Sequence, residues 1–165
     1  MNFEELAKNK KNVSGESIEY IKSIIKTNKL NKVLEIGTYN GYSAIHLSTV
    51  AKSVTTIEIQ EESIQEAKAN LNKYSINNVK IIHGDAIEVL KNLNEKFDVI
   101  FIDAMKRQYK EYLILALKLI DKGYIFADNT ISHKEKMKDF FDYLESSKLN
   151  WKELGIGKGL VMIKI

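Results

Sequence analysis

The sequence predicts an α/β domain on a doubly wound, mostly parallel sheet that finishes in an antiparallel hairpin. Three observations predict it. Short runs rich in Val, Ile and Phe recur along the chain, segments of helical period separate them, and the last two runs are joined by a glycine turn instead of a helix. At 165 residues the chain is expected to form one domain, spanning 1–165.

The runs are Lys32–Ile36, Ser53–Ile57, Val79–His83, Phe97–Ile102 and Gly123–Ala127. Each is too short for a helix, and near-continuous apolarity is what a strand buried on both faces shows. Between them, Ser17–Lys26 sets Ile18, Ile21, Ile24 and Ile25 on one helical face, and Glu61–Lys73 does so with Ile64, Ala67 and Leu71. Lys110–Leu119 places Leu113 and Leu117 together, with Ile120 just beyond. A further helix is expected over Lys134–Ser147, followed by Trp151–Leu154, the turn Gly155-Ile156-Gly157-Lys158-Gly159, and Leu160–Ile165. Strands joined by so short a turn must run antiparallel.

Composition excludes several classes. The 0 Cys leave no disulfide, thiolate metal site or cysteine nucleophile. No apolar stretch approaches the roughly 20 residues of a membrane span. MNFEELAKNKKN has lysines with no apolar run behind them, unlike a secretory signal, so a cytoplasmic location is expected. Net charge is +3 with a pI near 8.8, mildly basic. The cations are scattered lysines plus Arg107, which read as solvated faces; contact with tRNA stays open but unsupported by charge.

The first chemical signal is VLEIGTYNGYS, Val33 to Ser43, in which a strand runs through Glu35 into Gly37 and Gly41 before a helix opens near Tyr42. Gly37 lets the chain turn sharply and a ligand approach, and the helix start at Gly41–Ser43 offers unpaired N–H groups to a carboxylate. The spacing Gly37-x-x-x-Gly41, with Tyr39 between, departs from the GxGxxG of dinucleotide dehydrogenases. It fits the E-x-G-x-x-x-G form of enzymes that use S-adenosylmethionine (AdoMet). Glu58, about twenty residues further on, is placed to bind ribose hydroxyls, although it also reads as a surface acid opening a helix. Asp85, in HGDA at the end of the third run, can meet an adenine amino group, cap the helix that starts at Ala86, or both.

The second signal is FDVIFIDAMKRQY, which delivers Asp103 at the carboxyl end of a central strand, and GYIFADNT, which delivers Asp128 and Asn129 at the same edge. Two carboxylates and an amide oxygen suit a hard divalent cation, Mg²⁺ foremost. Asp-Asn after a strand is also a good turn starter.

These blocks, VLEIGTYNGYSA, FIDAMKRQY and ADNTI, with IGKGLVMI matching less tightly, resemble the cation-dependent O-methyltransferases that include the catechol and caffeoyl-CoA enzymes. The resemblance covers roughly residues 12–165. It implies the Rossmann-like, seven-stranded class I methyltransferase fold and methyl transfer from AdoMet to a metal-coordinated hydroxyl of a small, catechol-like acceptor. It implies Asp103, Asp128 and Asn129 as metal ligands and Lys106, three residues past the first aspartate, as general base. A lysine there reads on its own as a solvated charge. By the same resemblance Val13, Tyr39, Ser43, Ala86 and Met105 line the AdoMet pocket with Glu35, Gly37, Gly41, Glu58, Asp85 and Asp103. A homodimer is also expected.

The chain is shorter than that family leads one to expect. Little precedes its first core helix, and no separate insertion lies between Asn129 and the hairpin. A hydroxylated uridine of tRNA therefore stays open as acceptor, as does an AdoMet-binding protein without catalysis. His133 is placed near the metal set or on a surface turn, and His46 and His83 read as structural. Tyr109, Tyr112, Phe140, Phe141 and Tyr143 read as core or dimer contacts.

Overall fold

The structure, a computed structural model, describes residue 6 and residues 12–165. Most of the MNFEELAKNKKN segment therefore lies outside the described residues.

The strands are β1 (Lys32–Ile36), β2 (Ser53–Glu58), β3 (Val79–His83), β4 (Val99–Ile102), β5 (Tyr124–Asp128), β6 (Asn150–Leu154) and β7 (Leu160–Lys164). The helices are α1 (Gly15–Thr27), α2 (Tyr42–Ser48), α3 (Glu61–Lys73), α4 (Ala86–Asn92), α5 (Tyr109–Ala116) and α6 (Lys138–Ser146). They form one 7-stranded sheet in the order β3-β2-β1-β4-β5-β7-β6. The first five strands are mutually parallel, and β7 runs antiparallel to both β5 and β6.

Side chains alternate cleanly through the central strands. Leu34, Ile36, Ile100, Ile102, Ile125, Ala127, Val161 and Ile163 enter one core with α4, α5 and α6. Val33, Val99, Phe101, Phe126 and Leu160 enter the other with α1 and α2. This period of two explains the sequence pattern: both faces are apolar because both are covered by helices. Burying Ile18, Ile21 and Ile25 of α1 against β1, β4 and β5 stabilises that layer by about 2 kcal/mol per side chain.

The elements end where local chemistry ends them. Ser14 caps α1 by accepting from Ser17 N at 3.0 Å. Asp85 caps α4 by accepting from Ile87 N at 2.9 Å and Glu88 N at 3.2 Å. The helix expected over Lys134–Ser147 is split into a 3-10 turn, Lys134–Met137, and α6. The last turn of the expected Lys110–Leu119 helix is likewise given up, so that Leu119 O can receive Phe97 N at 2.9 Å. No helix among the described residues is long and apolar enough to cross a membrane.

Strand order reverses between β1 and β4, where the connections leave to opposite sides. In a parallel sheet the loops beyond such a switch point open a crevice at the carboxyl edge. Gly37 and Asp103 lie there.

Candidate active site

Two cavities occupy that edge. The larger, about 390 Å³, is lined by Gly37, Tyr39, Glu58, Asp85, Ala86, Asp103 and Met105, together with Gln108 and Tyr112. The smaller, about 150 Å³, is lined by Asn12, Val13, Thr38, Ser43, Lys106 and Asn129. Gly37, Tyr39 and Asp103 line both, so the cavities meet at the switch point.

The loop after β1 is shaped by its backbone. Tyr39 has φ 47°, a left-handed conformation rare for a non-glycine residue. In this setting its N–H donates to Glu58 Oε2 at 2.8 Å. Glu58 Oε1 in turn accepts from Ile59 N at 2.9 Å and Gln60 N at 3.0 Å. The Glu58 carboxylate thus ties the β1 loop to the β2 loop while lining the larger cavity. Asp85 caps α4 through Oδ1, as one of its two expected roles, and lines the same cavity.

Three predicted site residues lie elsewhere. Glu35 lines neither cavity. It is fully buried, Thr56 donates to its Oε2 at 2.5 Å, and burial pushes its carboxyl up to about 8 against the opposing hydrogen bonds of Ser43 and Thr56. There it braces the β1 end against Thr56 of β2. Gly41 also lies off both cavities, starting α2 at φ 82° against Ala67 of α3. Asp128 is 1% exposed, behind Asn129, which lines the smaller cavity.

Around the smaller cavity the polar groups converge. Lys106 Nζ donates to Asp103 Oδ1 at 2.7 Å and to Tyr109 Oη at 2.9 Å. Asn129 Nδ2 donates to Asp128 Oδ2 at 2.7 Å, which leaves its amide oxygen on the other side of the side chain. Asp128 Oδ1 is buried without a hydrogen bond. Burial, and then the charge of Asp103, push the Asp128 carboxyl up to about 7. A buried carboxylate with an unpartnered oxygen, pressed by a second carboxylate and joined by an amide, is a donor set that a hard cation fits. Among the described residues no three His, Cys, Asp or Glu side chains cluster, so the remaining ligand positions would fall to an acceptor or water.

Tyr109 and Tyr112, read from spacing as core, are core, as are Phe140 and Phe141. Both tyrosines also reach the site by their hydroxyl ends. Tyr109 Oη meets Lys106, and Tyr112, lining the larger cavity, donates to Gln108 Oε1 at 2.6 Å. Apolar periodicity cannot show which end of an aromatic is wet; the spacing Lys106-x-x-Tyr109 across a tight turn is the signal that could have. His133 is half-buried, bonded to Ser132 Oγ at 2.8 Å, and its imidazole is held below the usual range by burial and by Lys106, Lys136 and Lys158. His46 packs on Tyr42 with ring centroids 4.5 Å apart, and His83 meets Ile59 O at 3.1 Å, both at a distance from the polar cluster.

Known proteins share this fold. A Staphylococcus aureus protein assigned as a caffeoyl-CoA O-methyltransferase superposes with a TM-score of 0.85 at 32% identity, over 93% of this chain and 85% of that one. A Bacillus cereus O-methyltransferase in complex with SAH shares the fold at a TM-score of 0.83 and 23% identity, over 95% and 84% of the two chains. A catechol O-methyltransferase of Niastella koreensis is 33% identical over 128 residues, 72% of this chain and 58% of that one. The chain spans about half the length of the first curated relatives it matches, 47%, 53% and 48% of them. The O-methyltransferase family model matches residues 3–150, nearly the whole length over which the sheet, the glycine loop and both polar strand ends are built, and the chain belongs to that family.

Proposed function

We propose that this protein transfers a methyl group from AdoMet to a hydroxyl of a small acceptor, with Lys106 as the base and Asp103, Asp128 and Asn129 holding a divalent cation. The observation that carries the reading is the meeting of two unlike cavities at Gly37, Tyr39 and Asp103. The larger has the carboxylates of Glu58 and Asp85 for ribose and adenine and the apolar Met105 and Tyr112 beside them. The smaller has Lys106, Asp103 and Asn129, with Asp128 buried behind Asn129. A donor in the first and an acceptor in the second would place methyl and hydroxyl side by side, and positioning is most of what this displacement requires.

The residues divide the work. Glu58 and Asp85 fix the nucleoside end. Ser43, which lines the smaller cavity where it meets the larger at Gly37 and Tyr39, would receive the donor's carboxylate end across that junction. Lys106, directed by Asp103, takes the acceptor proton as the acceptor oxygen attacks the sulfonium methyl and the donor leaves as S-adenosylhomocysteine (AdoHcy). A cation at Asp103, Asp128 and Asn129 would lower the pKa of an acceptor hydroxyl.

Calorimetric titration of AdoHcy into the protein, with Mg²⁺ and then with chelator, followed by catechol, tests this. Catechol binding that requires both AdoHcy and Mg²⁺ supports the reading. AdoHcy binding with no metal-dependent second ligand redirects it to tRNA or another acceptor, or to an AdoMet-binding protein without catalysis. No AdoHcy binding sinks it.

A further inference from the structure

The chain makes a 3-10 turn at Lys106–Gln108, directly before α5. In that geometry side chains at i and i+3 eclipse. Lys106 and Tyr109, three apart across the turn, are brought together in this way, and Asp103, ahead of the turn, meets the same lysine. Lys106 Nζ lies 2.7 Å from Asp103 Oδ1 and 2.9 Å from Tyr109 Oη. The Tyr109 side chain is 0% exposed, held edge-on against Phe140 with centroids 5.8 Å apart. Its hydroxyl proton is used: Oη donates to the carbonyl of Asp128 at 3.2 Å. With the proton committed there, only a lone pair of Oη faces Lys106.

From this we infer that Tyr109 is a positioning residue, which holds Lys106 Nζ against Asp103 and ties that pair to the backbone of the Asp128–Asn129 strand end. An amine nitrogen has three substituent positions beyond its Cε. Two are taken by Asp103 and Tyr109, and the third faces the smaller cavity that Lys106 lines. The proton that Lys106 carries or gives up is thereby confined to the direction of the acceptor. The same hydroxyl joins the turn after β4 to the end of β5, and so ties Lys106 to the strand end that carries Asn129. This rests on reading Lys106 as the base, but the placement itself is testable without turnover.

The first readout is the lysine ammonium region of a ¹H–¹⁵N spectrum of the whole protein, with and without AdoHcy. A Nζ held at both sides exchanges slowly and gives a sharp signal, assigned by its loss in Lys106→Arg. In the wild-type protein it should show a cross-peak to the Tyr109 hydroxyl proton. Tyr109→Phe keeps the ring and should abolish the sharp signal. The second readout is kinetic, with catechol and Mg²⁺. Tyr109→Phe should lower kcat by roughly 10–100-fold while acceptor KM and AdoHcy Kd stay within about twofold. In a Lys106→Met background it should cost nothing further. A wild-type protein without the cross-peak, an unchanged ammonium signal in Tyr109→Phe, or an unchanged kcat would overturn the proposal. Failure of wild-type protein to methylate catechol would count against the acceptor reading, and the ammonium signal would then decide the placement alone.

Discussion

A Cβ placed on Gly37 would lie 2.3 Å from the carbonyl oxygen of Asp103 and 2.9 Å from its carbonyl carbon. The two residues end β1 and β4, and Asp103 N donates to Ile36 O at 2.9 Å, so neither strand can move away without breaking the ladder. Gly37 also sits at φ 104°, where an L side chain is strained. The two halves of the sheet therefore meet in close backbone contact at the residue around which both cavities form.

Gly37→Ala should abolish AdoHcy binding and lower stability by roughly 2–4 kcal/mol, since backbone, not a flexible side chain, must give way. Thermal unfolding and calorimetry check both. A variant that binds AdoHcy normally would show that the sheet edge is more compliant than its hydrogen bonds imply.

Glu58 joins three backbone N–H groups across two loops. Glu58→Gln replaces one oxygen by a donor that would face one of those N–H groups. AdoHcy should bind roughly 10–100-fold more weakly, the scale of a charge-assisted hydrogen bond plus the loosened Tyr39 turn. Titration of AdoHcy into the variant measures it; affinity within twofold of wild type would place the nucleoside away from Glu58.

Much of this was legible in the sequence because the sheet is covered on both sides. β1 at Lys32–Ile36, β3 at Val79–His83 and α3 at Glu61–Lys73 have the bounds that hydrophobic periodicity predicts. Boundaries slipped where a residue is apolar without joining a ladder: Phe97 is buried but bonds to Leu119, ahead of β4. In the site, residues on the cavity wall were readable from glycine spacing and strand ends. The burial of Glu35 off both cavities was not, because a motif position does not show which side of the loop a side chain turns to. The role of Tyr109 was hidden for the opposite reason: a side chain that is core along its ring carries no sequence mark for the hydroxyl at its tip.

Asp128→Asn separates stability from binding. The carboxylate is buried beside Asp103, and an amide of the same shape removes a buried charge and a like-charge pair. In chelator the variant should unfold at a higher temperature than wild type, by a few degrees on the order of 1 kcal/mol. Added Mg²⁺ with catechol should stabilise wild type and leave the variant unchanged, and AdoHcy should bind both. Equal stabilisation of the two by Mg²⁺ would remove Asp128 from the cation site.

Glu35 and His46 should bend the pH dependence of stability in opposite directions. Burial raises the Glu35 carboxyl from 4.5 to about 8, so the folded protein keeps a proton that the unfolded chain has lost. Its contribution is fully present below pH 4.5 and is lost as pH rises towards 8. Burial, with Lys22 adding to it, lowers the His46 imidazole from 6.5 to about 4, so the folded protein resists a proton that the unfolded chain takes up. Its contribution is present above pH 6.5 and is lost as pH falls towards 4. Ligand-free protein should then be most stable between these limbs, at mildly acidic pH. Glu35→Gln should flatten the alkaline limb above pH 7, the slope below that being shared with the Asp128 carboxyl, raised from 3.8 to about 7, and leave the acid limb in place; the change is worth roughly 5–10 °C of unfolding temperature. His46→Phe, which keeps a ring against Tyr42, should flatten the acid limb alone. Thermal unfolding in steps from pH 4 to 9 distinguishes the two, because a shared fall in stability without a change of slope would assign both variants to packing and neither to titration.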